Sequence, residues 1–134
     1  MPINKKLKSR ANSVLVVEDE KDIADGVTKT LKSEGFSVDG IFDEFNLVID
    51  YITNSGRQPN FVIMDLDLSG KLSPDFLGIL YSKWKETKVF IFTAYPEYLD
   101  RYPCFKDMVE DTFLKSELEV LIKKLKKISS EQKQ

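Results

Sequence analysis

Five side chains in this sequence could act together on a phosphoryl group: Glu18, Asp19, Asp65, Thr93 and Lys115. Each closely follows an apolar run. Ser13–Val17 (SVLVV) leads into Glu18-Asp19, Phe61–Met64 (FVIM) into Asp65, Lys88–Phe92 (KVFIF) into Thr93, and the segment from Val109 to Leu114 into Lys115. Short continuous apolar runs suit strands buried on both faces of a parallel sheet. Open α/β sheets place their ligands beyond the carboxyl ends of the strands. Each residue alone reads as a polar group where a strand meets a loop. Jointly, three acids, a hydroxyl and an amine on one edge suggest phosphoryl transfer onto a carboxylate. A phosphoryl group in flight spreads charge over three oxygens, so catalysis is mostly placement and charge stabilisation. Asp65 would be the nucleophile and would form an acyl phosphate. The clustered carboxylates suit Mg²⁺, a hard cation that prefers oxygen ligands. Lys115 would add a second positive charge, and Thr93 a hydrogen bond to a phosphoryl oxygen.

Composition narrows the alternatives. A chain of 134 residues suits one domain with one real core. Net charge is −2, so no global field argues for nucleic acid. No apolar stretch reaches membrane-spanning length, and no signal peptide is evident. The single cysteine, Cys104, cannot close an internal disulfide, which fits a reducing, cytoplasmic setting. Histidine is absent, which excludes a Ser-His-Asp triad, His metal ligands and a phosphohistidine on this chain.

The elements that must position these residues alternate. Residues 1–12 form a polar, basic arm with Lys5, Lys6, Lys8 and Arg10, read as loose and solvated. A helix from Glu20 to Gly35 carries Ile23, Val27 and Leu31 on one stripe. A strand over Phe36–Ile41 follows, then a helix from Asp43 with Phe45, Val48, Ile49 and Ile52, ended by Asn54-Ser55-Gly56. After the Asp65 strand, Leu66 to Pro74 reads as a long loop. Asp75 then caps a helix with Phe76, Leu77, Leu80 and Trp84 inward. Tyr95 to Met108 is the least regular stretch, where Pro103 predicts a short or broken helix. Ser116-Glu117-Leu118-Glu119 is a capping-box pattern opening a last helix with Leu118, Leu121, Ile122, Leu125 and Ile128 on one face. The folded domain is thus expected over 13–129, with 130–134 a frayed tail. Five β-then-α units imply an α/β doubly wound parallel sheet with helices on both faces and right-handed crossovers.

The chain resembles the receiver domain of bacterial two-component response regulators, especially stand-alone, chemotaxis-regulator-like receivers. VLVVEDE, FVIMDLDLSG, VFIFTA and DTFLKS match the four motifs in order. Asp19 to Asp65 is 46 residues, Asp65 to Thr93 is 28, and Thr93 to Lys115 is 22, as in the family. The resemblance covers about Ser13 to Ile128. It implies a (βα)5 flavodoxin-like fold with strand order 2-1-3-4-5. It also implies Mg²⁺ held by the side chains of Asp19 and Asp65, by the backbone carbonyl of Asp67, and through water by Glu18. A sensor histidine kinase or a histidine phosphotransfer protein would be the donor. The chain would catalyse only its own phosphorylation and dephosphorylation. Without a DNA-binding output domain, its signal would leave as a protein contact through the face from Thr93 to Lys115.

Departures from the family pattern are specific. Glu18 replaces the more usual Asp. Ser116 replaces a proline that normally follows a cis bond; because a non-proline cis bond costs about 3–4 kcal/mol, a trans bond is expected. Thr112 stands where a switching aromatic is common, so a tyrosine between Tyr95 and Tyr102 is expected to take that role, with Tyr98 and Phe105 in the same segment. Gly70-Lys71 lacks the earlier glycine of a nucleotide-binding P-loop. Two other readings compete. One is a degenerate receiver that binds partners without phosphorylation, suggested by Ser116 and Thr112. The other is a haloacid-dehalogenase-like phosphatase, suggested by Asp65-Leu66-Asp67, with Asp67 as general acid/base. The position of that strand as third rather than first opposes the phosphatase.

Overall fold

The computed structural model describes residues 12–55, 57–68, 71–72 and 74–132. Most of the expected arm (1–11), Gly56, Ser69, Gly70, Ser73, and residues 133–134 of the expected tail lie outside the described residues.

Strands β1 (Ser13–Val17), β2 (Ser37–Phe42), β3 (Phe61–Met64), β4 (Lys88–Thr93) and β5 (Asp111–Leu114) form one sheet. Their spatial order is 2-1-3-4-5, and every neighbouring pair is parallel. Helices α1 (Lys21–Ser33), α2 (Phe45–Ser55), α3 (Pro74–Lys83) and α4 (Leu118–Gln132) cover it. Successive strand residues point to opposite faces, and the core divides accordingly. Val14, Val16, Phe61, Ile63, Phe90 and Phe92 pack with Val27 and Leu31 of α1 and Leu121, Ile122 and Leu125 of α4. Leu15, Val17, Val62, Met64, Val89 and Ile91 pack with Val48 and Ile52 of α2 and Phe76, Leu77 and Leu80 of α3. The inward stripes expected of these helices are therefore the buried ones. Gly35 ends α1 in the left-handed region at φ 93°, which glycine adopts without a Cβ penalty.

Register sets the site. Val17 pairs with Met64 and Met64 with Ile91, so Glu18 and Asp65 leave the sheet at the same height. The ladder continues one step past the strands. Asp65 N–H donates to the Val17 carbonyl (3.1 Å), Glu18 N–H to that of Phe42 (2.8 Å), and Lys115 N–H to that of Thr93 (3.2 Å). The three charged residues thus start from fixed backbone.

Several expectations need correction. Leu66 to Pro74 is not a plain loop: Asp67–Leu68 and Lys71–Leu72 form a small antiparallel ribbon. Burial of Leu66 and Leu68 against the α2/α3 core gives that stretch an inner face. Helix α3 begins at Pro74, whose fixed φ suits the first turn, so Asp75 lies inside the turn rather than capping it. The broken helix resolves into two 3₁₀ helices, Pro96–Arg101 and Pro103–Met108, each opened by a proline. Helix α4 starts at Leu118. Glu117 closes the preceding turn by donating its N–H to the Leu114 carbonyl (2.8 Å) and accepting the Leu114 N–H on its carboxylate (2.7 Å). That turn takes the place of the expected Ser116/Glu119 box. Ser130 and Glu131, expected to fray, continue α4. Asn12, assigned to the loose arm, accepts a hydrogen bond from Ser129 and donates one to the Gly35 carbonyl.

The packing of α4 yields a paired prediction. Leu121 is fully buried and its neighbour Val120 is 52% exposed. Leu121→Ala should cost ~2–5 kcal/mol in urea unfolding, and Val120→Ala no more than about 0.5 kcal/mol. Equal losses would contradict the assigned helix face.

Candidate functional site

At the carboxyl edge of the sheet the Lys115 ammonium binds three carboxylates. Its Nζ lies 2.8 Å from Asp65 Oδ2, 3.1 Å from Glu18 Oε2 and 3.2 Å from Glu20 Oε1. Asp65 and Glu18 are buried, Lys115 is nearly so, and Glu20 is exposed. Beneath them Val16, Val27, Ile63, Met64 and Phe92 form an apolar floor. Backbone amides add to these pairs: Glu20 N–H donates to Glu18 Oε2, the oxygen that also meets Lys115 (3.1 Å), and Asp67 N–H donates to the other Asp65 oxygen, Oδ1 (3.1 Å). Buried charge persists only when paired and hydrogen-bonded in this way.

Burial raises the Glu18 pKa above its ordinary value, and the Asp65 charge adds to that. The Glu20 amide and the Lys115 ammonium oppose it without cancelling it. For Lys115, burial acts to lower the pKa, but hydrogen bonds to Asp65 and Glu18, with their charges, outweigh it and hold the ammonium above its ordinary range. The signs follow from linkage. The Lys115 contribution to stability is complete below the ordinary lysine value and is lost as pH rises through the raised one. Ionised Glu18 costs stability, and that cost is relieved as pH falls through its raised value.

Sequence reasoning placed Glu18, Asp65 and Lys115 together, and they are in contact. All described peptide bonds are trans, and Lys115 reaches Asp65 through a trans bond to Ser116. Thr93 is buried at the same edge, but its hydroxyl accepts the Tyr95 N–H (3.2 Å). Asp19 is half-buried beside Glu18. Thr112 lines an open cleft with Pro96, Leu99 and Val109. Glu20 was passed over. As the last of three successive acids, it reads in the sequence only as the start of a helix.

The expected metal ligands fit a hard cation in their donor chemistry. All are oxygens, and Asp67 Oδ1 is buried without a hydrogen-bond partner. They are not arranged as a ready cage. Among the described residues no group of three or more Asp, Glu or Cys side chains is placed to hold a metal ion. Here the lysine ammonium neutralises Glu18 and Asp65.

Removing that ammonium should expose its structural weight. Lys115→Met leaves two buried carboxylates uncompensated and should cost about 3 kcal/mol near neutral pH. The deficit should shrink on acidification as the carboxylates take up protons. Urea titrations with a chelator at neutral and mildly acidic pH would check this; a deficit that grows in acid would contradict it.

The response regulator receiver domain model matches residues 14–126. No curated protein matches the chain. Among solved structures, a CheY-like receiver domain protein from Methanospirillum hungatei is similar at 20% identity and TM-score 0.76, over 91% of this chain and 96% of that one. The response regulator TrrA from Thermotoga maritima, in complex with Mg²⁺-BeF, is similar at 24% identity and TM-score 0.69, over 85% and 98%. A response regulator from Burkholderia pseudomallei with a phosphorylated aspartic acid and a calcium ion is similar at 17% identity and TM-score 0.72, over 91% and 71%. At these identities the structures speak for the fold, whereas the family model spans most of the sequence, the Glu18, Asp65, Thr93 and Lys115 edge included. The chain belongs to the response regulator receiver domain family.

Proposed function

We propose that this chain is a phosphorylatable signalling receiver with Asp65 as the acceptor. The observation that carries this reading is the Lys115 ammonium 2.8 Å from Asp65 Oδ2, on a buried acid at the end of β3. An Asp65 carboxylate oxygen attacks phosphorus, and the bond from phosphorus to the donor breaks. The leaving group departs with that electron pair, and an acyl phosphate remains. The donor is a phosphohistidine on a sensor kinase or phosphotransfer protein, since this chain has no histidine. Lys115 balances charge on the transferred group. The chain's chemistry is confined to its own phosphorylation and dephosphorylation. Asp19 and Asp65 side chains, the Asp67 backbone carbonyl and, through water, Glu18 would hold Mg²⁺. That ion would neutralise the anionic oxygens. The Mg²⁺-BeF complex of one fold relative and the phosphorylated aspartic acid of another support this assignment.

The phosphorylation-independent reading rested on Ser116 and Thr112. The direct reach of Lys115 to Asp65 despite Ser116 weighs against it. Membership in the receiver family, and an Asp65 strand third in the chain, weigh against the phosphatase.

Incubation with acetyl phosphate and Mg²⁺ should add the mass of one phosphoryl group. A chelator or Asp65→Asn should abolish the gain. An Asp65→Asn protein that still gains the mass would refute the assignment.

Output should begin at Thr93. If its hydroxyl turns to a phosphoryl oxygen, the Tyr95 amide loses its 3.2 Å acceptor and the following 3₁₀ helices are free to shift. Tyr95 is half-exposed and Tyr102 largely covered, so either ring can change its packing. The side chains of Tyr98 and Phe105, expected in the same relay, lie outside the described residues. Amide NMR with and without beryllofluoride should move Tyr95 and the stretch to Met108. Shifts confined to the neighbours of Asp19, Asp65 and Lys115 would rule out this face.

A further inference from the structure

We propose that Glu20 is a specificity-determining residue at this site. It holds one N–H of Lys115 on the solvent side of Asp65 and slows reaction with small, highly anionic phosphodonors. The inference rests on the proposed function and deepens it.

A lysine ammonium has three donors. Here three carboxylates surround it, at 2.8, 3.1 and 3.2 Å. Two of them, on Asp65 and Glu18, are only 5% and 4% exposed and are fixed by the strand ends. Glu20 is different: its side chain is 63% exposed, and its contact is the longest. It is also the contact that water can replace, since an exposed ion pair alone is worth little. A phosphoryl oxygen approaching Asp65 needs a Lys115 N–H, and the one it can take is the one Glu20 holds. The approaching group must therefore displace Glu20 and remain near its negative charge. The penalty grows with the donor's charge. A dianion such as acetyl phosphate is disfavoured more than phosphoramidate, whose ammonium nitrogen leaves one net negative charge at neutral pH.

Side-chain variants isolate this effect. The Glu20 backbone N–H, not its side chain, orients Glu18 (3.1 Å), and the side chain makes no cap bond to α1. Glu20→Gln thus removes the charge and leaves the scaffold.

The test compares wild type, Glu20→Gln and Glu20→Asp with acetyl phosphate and with phosphoramidate, each with Mg²⁺, at low and high salt. The Lys115 ammonium resonance is followed by ¹⁵N NMR in the unphosphorylated proteins. Glu20→Gln should raise the acetyl phosphate rate about three- to tenfold, as expected for one partly screened charge. Its gain with phosphoramidate should be smaller, and both gains should shrink in high salt. Glu20→Asp, which keeps the charge, should stay near wild type. The Lys115 resonance should move in Glu20→Gln. Rates unchanged with both donors, a slower Glu20→Gln, or a gain indifferent to salt would each overturn the inference. An unmoved Lys115 resonance would overturn the contact itself. A wild type inert to both donors would overturn the proposed function, and with it the donor preference, while the resonance would still report on the contact.

Discussion

The buried ion cluster of Lys115 with Asp65 and Glu18 is the constraint on which this structure turns. Two carboxylates with almost no exposure cannot both stay ionised without a counter-charge. Lys115 supplies it from a strand separated from them by β4. The arrangement has little value as a stabilising device, because an apolar core could do the same with less desolvation. Its value is chemical. It holds the proposed acceptor, Asp65, in a place from which water is largely excluded, with a cation 2.8 Å away.

Strand register is what makes that cluster geometrically possible. Val17 and Met64 are paired, so their successors emerge level, and the next backbone hydrogen bonds extend the ladder under both acids. The two core layers hold the strands in that register, since a one-residue slip would turn every buried side chain to the wrong face. The α1/α4 layer and the α2/α3 layer therefore fix the edge that carries the acids, and Val27 of α1 also lines its apolar floor. At the same edge the Thr93 hydroxyl accepts the N–H of Tyr95, the residue just before the first 3₁₀ helix.

Much of this was legible in the residues. Three of the five strands, β1, β3 and β4, are short runs dominated by apolar side chains, and they end in or run directly into Glu18, Asp65 and Thr93. The helix stripes at Val27/Leu31, Phe76/Leu77/Leu80 and Leu121/Leu125 are the buried ones. The strand order was read from the family resemblance, because periodicity says nothing about which strands are neighbours. What escaped depended on three dimensions. Asp67–Leu68 and Lys71–Leu72 pair where Leu66 and Leu68 enter the core beneath α2 and α3. Glu117, rather than Ser116, closes the turn before α4 because its carboxylate reaches back to the Leu114 amide. Glu20 resembles any exposed acid near a helix start until Lys115, distant in sequence, is seen to bind it.

Asp65, of the three carboxylates around Lys115 the one nearest its ammonium, is the residue proposed to take the phosphoryl group. Borohydride reduction of the phosphorylated protein converts an acyl phosphate to an alcohol and marks the residue that carried it. Peptide mapping should then find homoserine at position 65 and nowhere else. A mark at Glu18, Asp19, Glu20 or Asp67, or none in a protein shown to be phosphorylated, would contradict the account.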